Sequence, residues 1–394
     1  MARLLRLGGA GVNLLRVAVT VRPRGWCAGY IRRSRRHGGR RHQGEIMAIP
    51  KHPDDITAEW LRDHLGWDVT HVEVHEIGAG IGVSSAVYRA RLTGTDVPAS
   101  VVVKLTAIDP AAAFTSTVLK MYRREAVFFN DLANHMPVRV PAGHYGEVSD
   151  DGAEFVVVME DLSGNRMLDQ TQVMADADAE RRIDTLAKWH ANWWNSVDGM
   201  CDSGVAVALD DPIYPAMLPG LFDEGWAKLC SSAHCLPPDA LQPVGPKYAA
   251  AIEGLLQTLS SGAVTLLHGD FRTDNMMFDA DDNLILMDFQ LTGVGSAAYD
   301  IAYFIGSCLD VDAAGERALY DRWIAGLIAA GVPEADLDDM WDKYRAAALF
   351  CLVYPVVASR GMDLEVPREQ ALVNVMMSRQ ARGAVDLDWM ALLA

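Results

Sequence analysis

A chain of 394 residues that is 50% hydrophobic and 22% charged can bury a large core, which excludes intrinsic disorder and leaves room for two or three domains. Residues 1–46 hold eleven Arg against one acid, Glu45, so in a chain of net charge −17 the remainder carries −27. A surface this acidic repels nucleic acid and anionic membranes and weakly favours a cationic substrate.

The six cysteines, Cys27, Cys201, Cys230, Cys235, Cys308 and Cys351, form no Cys-x-x-Cys pair. Neither a disulfide framework nor a zinc site is indicated, and the expected compartment is the reducing cytoplasm. The Arg-rich segment 1–46 has one Ser, Ser34, and no clear period, which fits a transit peptide poorly, and it lacks the apolar core of a secretory signal. The expectation is that the fold starts at Met47 and that 1–46 is an extension outside it.

From Met47 the pattern predicts a short helix capped by Thr57, then strands over Val72 to Ile77, Ala86 to Leu92 and Ser100 to Leu105, rich in β-branched residues. The segment Gly78-Ala79-Gly80-Ile81-Gly82-Val83-Ser84-Ser85 lies between the first two strands, and its turn could lay backbone N–H groups of Gly78, Gly80, Gly82 and Ser84 over phosphates. A dinucleotide-binding fingerprint would need a helix directly after it, but a strand follows. A helix is predicted from about Ser116 to Ala133, followed by two more strands, the second being Phe155 to Met159. Glu125 shares a helical face with Val118, Tyr122, Phe129 and Leu132, and a carboxylate on an apolar stripe needs a partner unless it snorkels to water. Lys104, at the end of Val101-Val102-Val103, is the natural one.

Beyond Glu160-Asp161-Leu162-Ser163-Gly164 the pattern turns helical. Ile183, Leu186, Ala187, His190 and Trp194 recur at 3.6-residue spacing. His190 with Trp189, Trp193 and Trp194 could shape a pocket, although such a stripe more often builds core. The uncharged run Ala346 to Ala358, thirteen residues with Pro355 inside it, is too short to span a bilayer and reads as a buried helix. A strand-rich part over 47–162 joined to a helical part over 163–394 predicts an α+β, two-lobed protein with its ligand site in the cleft.

One strand-rich island, Val264 to Phe289, interrupts the helices and carries the chemistry. It contains His268-Gly269-Asp270-Phe271-Arg272-Thr273-Asp274-Asn275, then Met276-Met277-Phe278, an acidic turn, and Leu284-Ile285-Leu286-Met287-Asp288-Phe289-Gln290. Two apolar runs flanking Asp279 to Asn283 predict a hairpin. With its turn centred near Asp281, pairing sets Asn275 opposite Met287, beside Asp288. Opposed residues lie about 4.5–5.5 Å apart, so an amide oxygen and a carboxylate can share one cation. Oxygen ligands of this kind suit magnesium held jointly with phosphates. Asp270, five residues before Asn275, could take the proton of a substrate hydroxyl. Any one of these residues alone would read as turn chemistry, but the spacing of all of them is not explained that way. Asp274 reads as merely solvated. A calcium loop starting at Asp279 fails at its sixth position, Leu284, and its twelfth, Gln290.

His-Gly-Asp, an Asn after four intervening residues, and Asp-Phe-Gln thirteen residues beyond it resemble the aminoglycoside phosphotransferase superfamily. Within it, Asp288-Phe289-Gln290 and Tyr299-Asp300-Ile301-Ala302-Tyr303 are similar to the ecdysteroid-kinase-like and choline-kinase-like branch. The resemblance spans roughly Val72 to Ile305 and implies a protein-kinase-like fold and a small-molecule kinase using ATP and Mg2+. It makes Asp270 the catalytic base and Asn275 and Asp288 the metal ligands, with His268 and Asp300 bracing the loop. It also implies a Lys104–Glu125 pair on the ATP phosphates and, near Glu160 and Leu162, backbone that reads adenine. The acceptor would be a small-molecule alcohol, with neither nucleic acid nor membrane as partner. A nucleotide-binding module without turnover is the alternative, but it would need no base at Asp270. A protein kinase is less consistent, since no Arg-Asp catalytic dipeptide or Ala-Pro-Glu segment is present and Gln290 stands where its metal motif has Gly.

Overall fold

The computed structural model describes residues 48–77 and 84–393. Helix α1 (Ala58–Leu65) begins where the Thr57 hydroxyl accepts from the Trp60 N–H at 3.0 Å and ends at left-handed Gly66. Five antiparallel strands follow, β1 (Asp68–Glu76), β2 (Ser85–Thr95), β3 (Ser100–Thr106), β4 (Gly143–Val148) and β5 (Phe155–Glu160), in the order β1-β2-β3-β5-β4. Residues alternate faces along a strand, and this sorts the sheet's side chains. Val101, Val103, Leu105, Val156 and Val158 pack against Trp60 and Leu61 of α1. Phe155, Val157 and Met159 pack the other way, with Tyr122, Ala126 and Phe129. Lys104 pairs in register with Val157, so it points to that second face.

The segment covering that face is two helices, not the one expected over Ser116 to Ala133. Helix α2 (Pro110–Val118) is capped by Asp109, and its end carries Thr115, Ser116, Thr117 and Val118; the hydroxyls of Thr115 and Thr117 bond back to the carbonyls of Ala111 and Ala113. Back-bonding of this type weakens a helix. The chain breaks at Lys120, whose φ of 57° is left-handed, and restarts as α3 (Met121–Val127), which runs through one π-turn (Phe128–Leu132) into a 3-10 turn (Ala133–His135).

The rest is mainly helical: β6 (Arg166–Met167), α4 (Asp176–Trp193), α5 (Met200–Ser203), β7 (Val207–Ala208), α6 (Ile213–Ser231), α7 (Gly245–Ser260), β8 (Thr265–Leu267), β9 (Met276–Phe278), β10 (Leu284–Leu286), β11 (Gly293–Gly295), α8 (Ala298–Cys308), α9 (Ala313–Ala329), α10 (Met340–Phe350), α11 (Val353–Ser359) and α12 (Pro367–Asp386). The run Ala346 to Ala358 is thus split between α10 and α11, because Pro355 has no N–H to continue α10 and fits the first turn of a new helix instead. The short strands form two three-stranded ribbons, β10-β9-β6 and β7-β11-β8. The α+β architecture is a strand-rich N-terminal sheet followed by a helical C-terminal region.

Candidate active site

The hairpin forms as its apolar runs require. Leu284, Ile285 and Leu286 pair with Phe278, Met277 and Met276, and the register continues with the Met287 N–H donating to the Asn275 carbonyl at 2.9 Å. Asn275 therefore sits opposite Met287. Asp288, the next residue, has a φ of 64°, a conformation that a short polar side chain tolerates better than a bulky one.

The loop before the hairpin is held from below. Asp300, in the first turn of α8 and fully buried, accepts the backbone N–H groups of His268 (2.8 Å) and Gly269 (2.9 Å) and the Nε2–H of His190 (3.2 Å). The Trp323 indole N–H donates to His190 Nδ1, which leaves Nε2 as the protonated nitrogen facing Asp300. His190 thus builds core and bracing, and Trp189 does the same, donating its indole N–H to the Leu266 carbonyl. His268 accepts the Asp270 N–H on Nδ1 (3.2 Å) and donates from Nε2 to the Met287 carbonyl (3.0 Å), joining the loop to the far strand. Gly269 adopts a φ of 81°, and a Cβ there would lie 1.9 Å from the Leu291 carbonyl oxygen, so only glycine fits.

Asp270 lies at the end of this support. The Asn275 amide donates to its Oδ2 at 2.7 Å and to its backbone carbonyl at 2.9 Å. With Nδ2 so engaged, the amide oxygen is the atom left for another partner. Sequence reasoning missed Arg272, whose Nε lies 3.1 Å from Asp270 Oδ1 and 3.2 Å from Oδ2. Burial pushes this guanidinium down, but the charges of Asp270 and Asp274, with the Tyr303 phenol, outweigh it and hold it above its ordinary value. Asp274 is not merely solvated: it accepts from Arg272 Nη1 at 2.9 Å and from the Gln170 N–H at 3.0 Å, because the loop turns both acids onto the same guanidinium.

From the sheet, Lys104 reaches Glu125 at 2.6 Å and Asp288 at 3.6 Å. Glu125 is 1% exposed and also receives the Phe289 N–H. Burial alone would lower the Lys104 ammonium, but Asp288 and Glu125 together raise it above its usual range, so it is a firm cation. Burial, helped by the charge of Asp288, raises the Glu125 carboxyl, and Lys104 offsets part of that. Gln290, read in the sequence as the end of the Asp-Phe-Gln motif and not as a contact of the site, bridges the two regions: it donates to Asp288 Oδ2 (3.2 Å) and accepts from the Ser84 hydroxyl (2.7 Å).

Asp288 Oδ1 is buried without a hydrogen-bond partner. The Lys104 ammonium, 3.6 Å away, is the cation nearest to it, and with the Asn275 amide oxygen this carboxylate oxygen makes a donor set that fits Mg2+. Gly78, Gly80 and Gly82 lie outside the described residues. Glu160 is bound by Arg139 at 2.6 Å and gives its N–H to the Ala142 carbonyl, while the buried Leu162 accepts from Asn165 on its carbonyl. Asp161 between them, bonded to Arg89, Ser100 and the Ser163 N–H, locks the connection.

Residues 77–346 match the model of the phosphotransferase enzyme family. The chain belongs to that family. Solved structures sharing the fold of this phosphotransferase-family chain include the GDP and kanamycin complex of APH(2")-IIia, 15% identical over 82% of this chain and 97% of that one, with a TM-score of 0.51. A choline kinase from Cryptosporidium parvum Iowa II is 11% identical over 82% of this chain and 91% of its own, also with a TM-score of 0.51. No curated protein matches the sequence.

Proposed function

We propose that this chain transfers the γ-phosphoryl group of ATP to a hydroxyl of a small molecule, with Mg2+ as cofactor. The carrying observation is that Lys104, Glu125 and Asp288 meet across the sheet and the helical region, while Asn275 fixes the Asp270 carboxylate a few residues away. No turn chemistry requires both. In this reading Lys104, steadied by Glu125, binds the α- and β-phosphates, and Asp270 accepts the hydroxyl proton of the acceptor. Asp288 Oδ1 and the Asn275 amide oxygen would hold Mg2+, which when bound supplies positive charge to the phosphate oxygens. His268 and Asp300 keep the loop in place. The turn Gly78, Gly80, Gly82 and Ser84 would cover the phosphates, and backbone at Glu160 and Leu162 would meet adenine. Catalysis would come from positioning and charge, without a covalent intermediate.

The domain reading is an ATP-binding lobe over 47–162 and a catalytic and acceptor-binding lobe over 163–394; the segment 1–46 lies outside the described residues. Asp288-Phe289-Gln290 and the Tyr299–Tyr303 segment support the ecdysteroid-kinase-like and choline-kinase-like branch. A cytoplasmic location and a small-molecule partner accord with the cysteine usage, and no helix among the described residues is long and apolar enough to cross a membrane. The test is nucleotide consumption by purified protein against a panel of small alcohols, with GTP in parallel because one solved relative holds GDP. Acceptor-dependent turnover that disappears in Asp270→Asn supports the reading. Tight nucleotide binding with no turnover on any acceptor would make it a binding module instead.

A further inference from the structure

Three basic residues at the start of α3, Lys120, Arg123 and Arg124, take no part in the chemistry above, yet all face the helical region. Arg124 is fully buried, and among the described residues no carboxylate lies within 4 Å of it. A buried guanidinium without a counter-charge is expensive, so its neutral partners must hold it in one place. Its Nη1 donates to the Thr292 carbonyl (3.2 Å) and the Tyr214 hydroxyl (3.3 Å), and its Nη2 to the Leu119 carbonyl (2.7 Å) at the end of α2. Thr292 lies four residues beyond Asp288 and is itself tied through its hydroxyl to the carbonyls of Val205 and Phe289. Alongside, Lys120 reaches Asp211 at 3.1 Å, and a Cβ on Gly204 would lie 2.8 Å from Arg123 Cδ, so the chain around Gly204 passes close to the helix.

Consecutive residues of a helix point about 100° apart. Glu125 therefore faces Lys104 on the sheet while Arg124, one residue earlier, faces the segment following Asp288. We propose that Arg124 is a positioning residue: it moors α3 to the Asp288–Thr292 segment, so that Glu125 and Lys104 are aligned on Asp288 before a nucleotide arrives. The helix that carries Glu125, packed on the sheet through Tyr122 and Ala126, is thereby tied to the helical region as well, and nucleotide binding need not draw it inward. This rests on the phosphotransfer reading of the site.

Arg124→Met keeps most of the apolar stem and removes the donors. Tyr214→Phe removes one acceptor from a half-buried position where folding is not at risk. MgATP affinity by calorimetry, KM and kcat, and melting temperature are measured for both, and for each combined with Glu125→Gln. Arg124→Met is expected to raise the nucleotide Kd and KM by about five- to thirty-fold, Tyr214→Phe by less, with kcat per folded molecule changed little. In the Glu125→Gln background both effects should largely vanish, since no carboxylate remains to be positioned. Unchanged nucleotide affinity in Tyr214→Phe, or effects that simply add to those of Glu125→Gln, would overturn the proposal even where Arg124→Met does not fold. A wild-type protein that binds no MgATP would instead overturn the reading of the site itself.

Discussion

The contact of Lys104 with Glu125 and Asp288 makes a stability prediction that is independent of the substrate. Lys104→Met keeps the stem but strands Glu125, 1% exposed, beside a second carboxylate; breaking a buried pair in this way costs about 3–5 kcal/mol. Glu125→Gln keeps its volume, can still accept from Lys104 and the Phe289 N–H, and leaves the ammonium paired with Asp288 at 3.6 Å, so it should cost only about 1–2 kcal/mol. In the double variant no charge is stranded at position 125, and Asp288, with a side chain 24% exposed, can draw on water. Its loss should be about 1–3 kcal/mol in all, which is about 3 kcal/mol less than the sum of the single variants. Urea unfolding followed by tryptophan fluorescence measures all four corners of the cycle, and MgATP binding is measured on the same samples. The double variant should recover stability yet bind MgATP no better than Lys104→Met. Stability losses that add to within about 0.5 kcal/mol would refute the pair as an energetic unit.

Asp270→Asn keeps the loop's size but cannot take a proton, so turnover should fall about 10²–10⁴-fold with nucleotide affinity nearly unchanged, whereas Asp288→Asn should weaken MgATP binding more than that of metal-free ATP. Kinetics paired with calorimetry separates the two, and near wild-type turnover in Asp270→Asn would mean that the base lies elsewhere. Asp300→Ala orphans three buried donors, on His268, Gly269 and His190, and should destabilise by about 3–5 kcal/mol, against about 1 kcal/mol for Asp274→Ala; equal losses in thermal or urea melts would contradict the bracing role. Burial pushes the Asp161 carboxyl up, but bonds from Ser100, the Ser163 N–H and Arg89 outweigh this and hold it below its ordinary range. A depressed folded value stabilises above the unfolded value of about 3.9 and is lost as pH falls through the folded one, so wild type should exceed Asp161→Asn in stability at pH 7 and the gap should begin to close as pH falls below about 4. A gap independent of pH would exclude that cause.

Much of the site could be read from residue spacing because its parts are local. Asp270 and Asn275 sit in one loop, and the register that sets Asn275 opposite Met287 follows from two apolar runs around one acidic turn, a constraint spanning a dozen residues. An unpartnered carboxylate on the apolar stripe of α3 likewise demanded a cation, and few were available. Alternation and helical period sufficed for an α+β architecture with strands first. The break at Lys120 was not legible, since a left-handed lysine has no compositional signature. Arg272, Gln290 and Arg124 were invisible as site residues for a common reason. Each acts on partners between two and 206 positions away through hydrogen bonds that exist only once sheet, hairpin and helices are packed. The sequence alone determined which groups could carry the chemistry; only the tertiary structure decided what orients them, because desolvation makes a buried polar contact matter and desolvation is a property of the assembled fold.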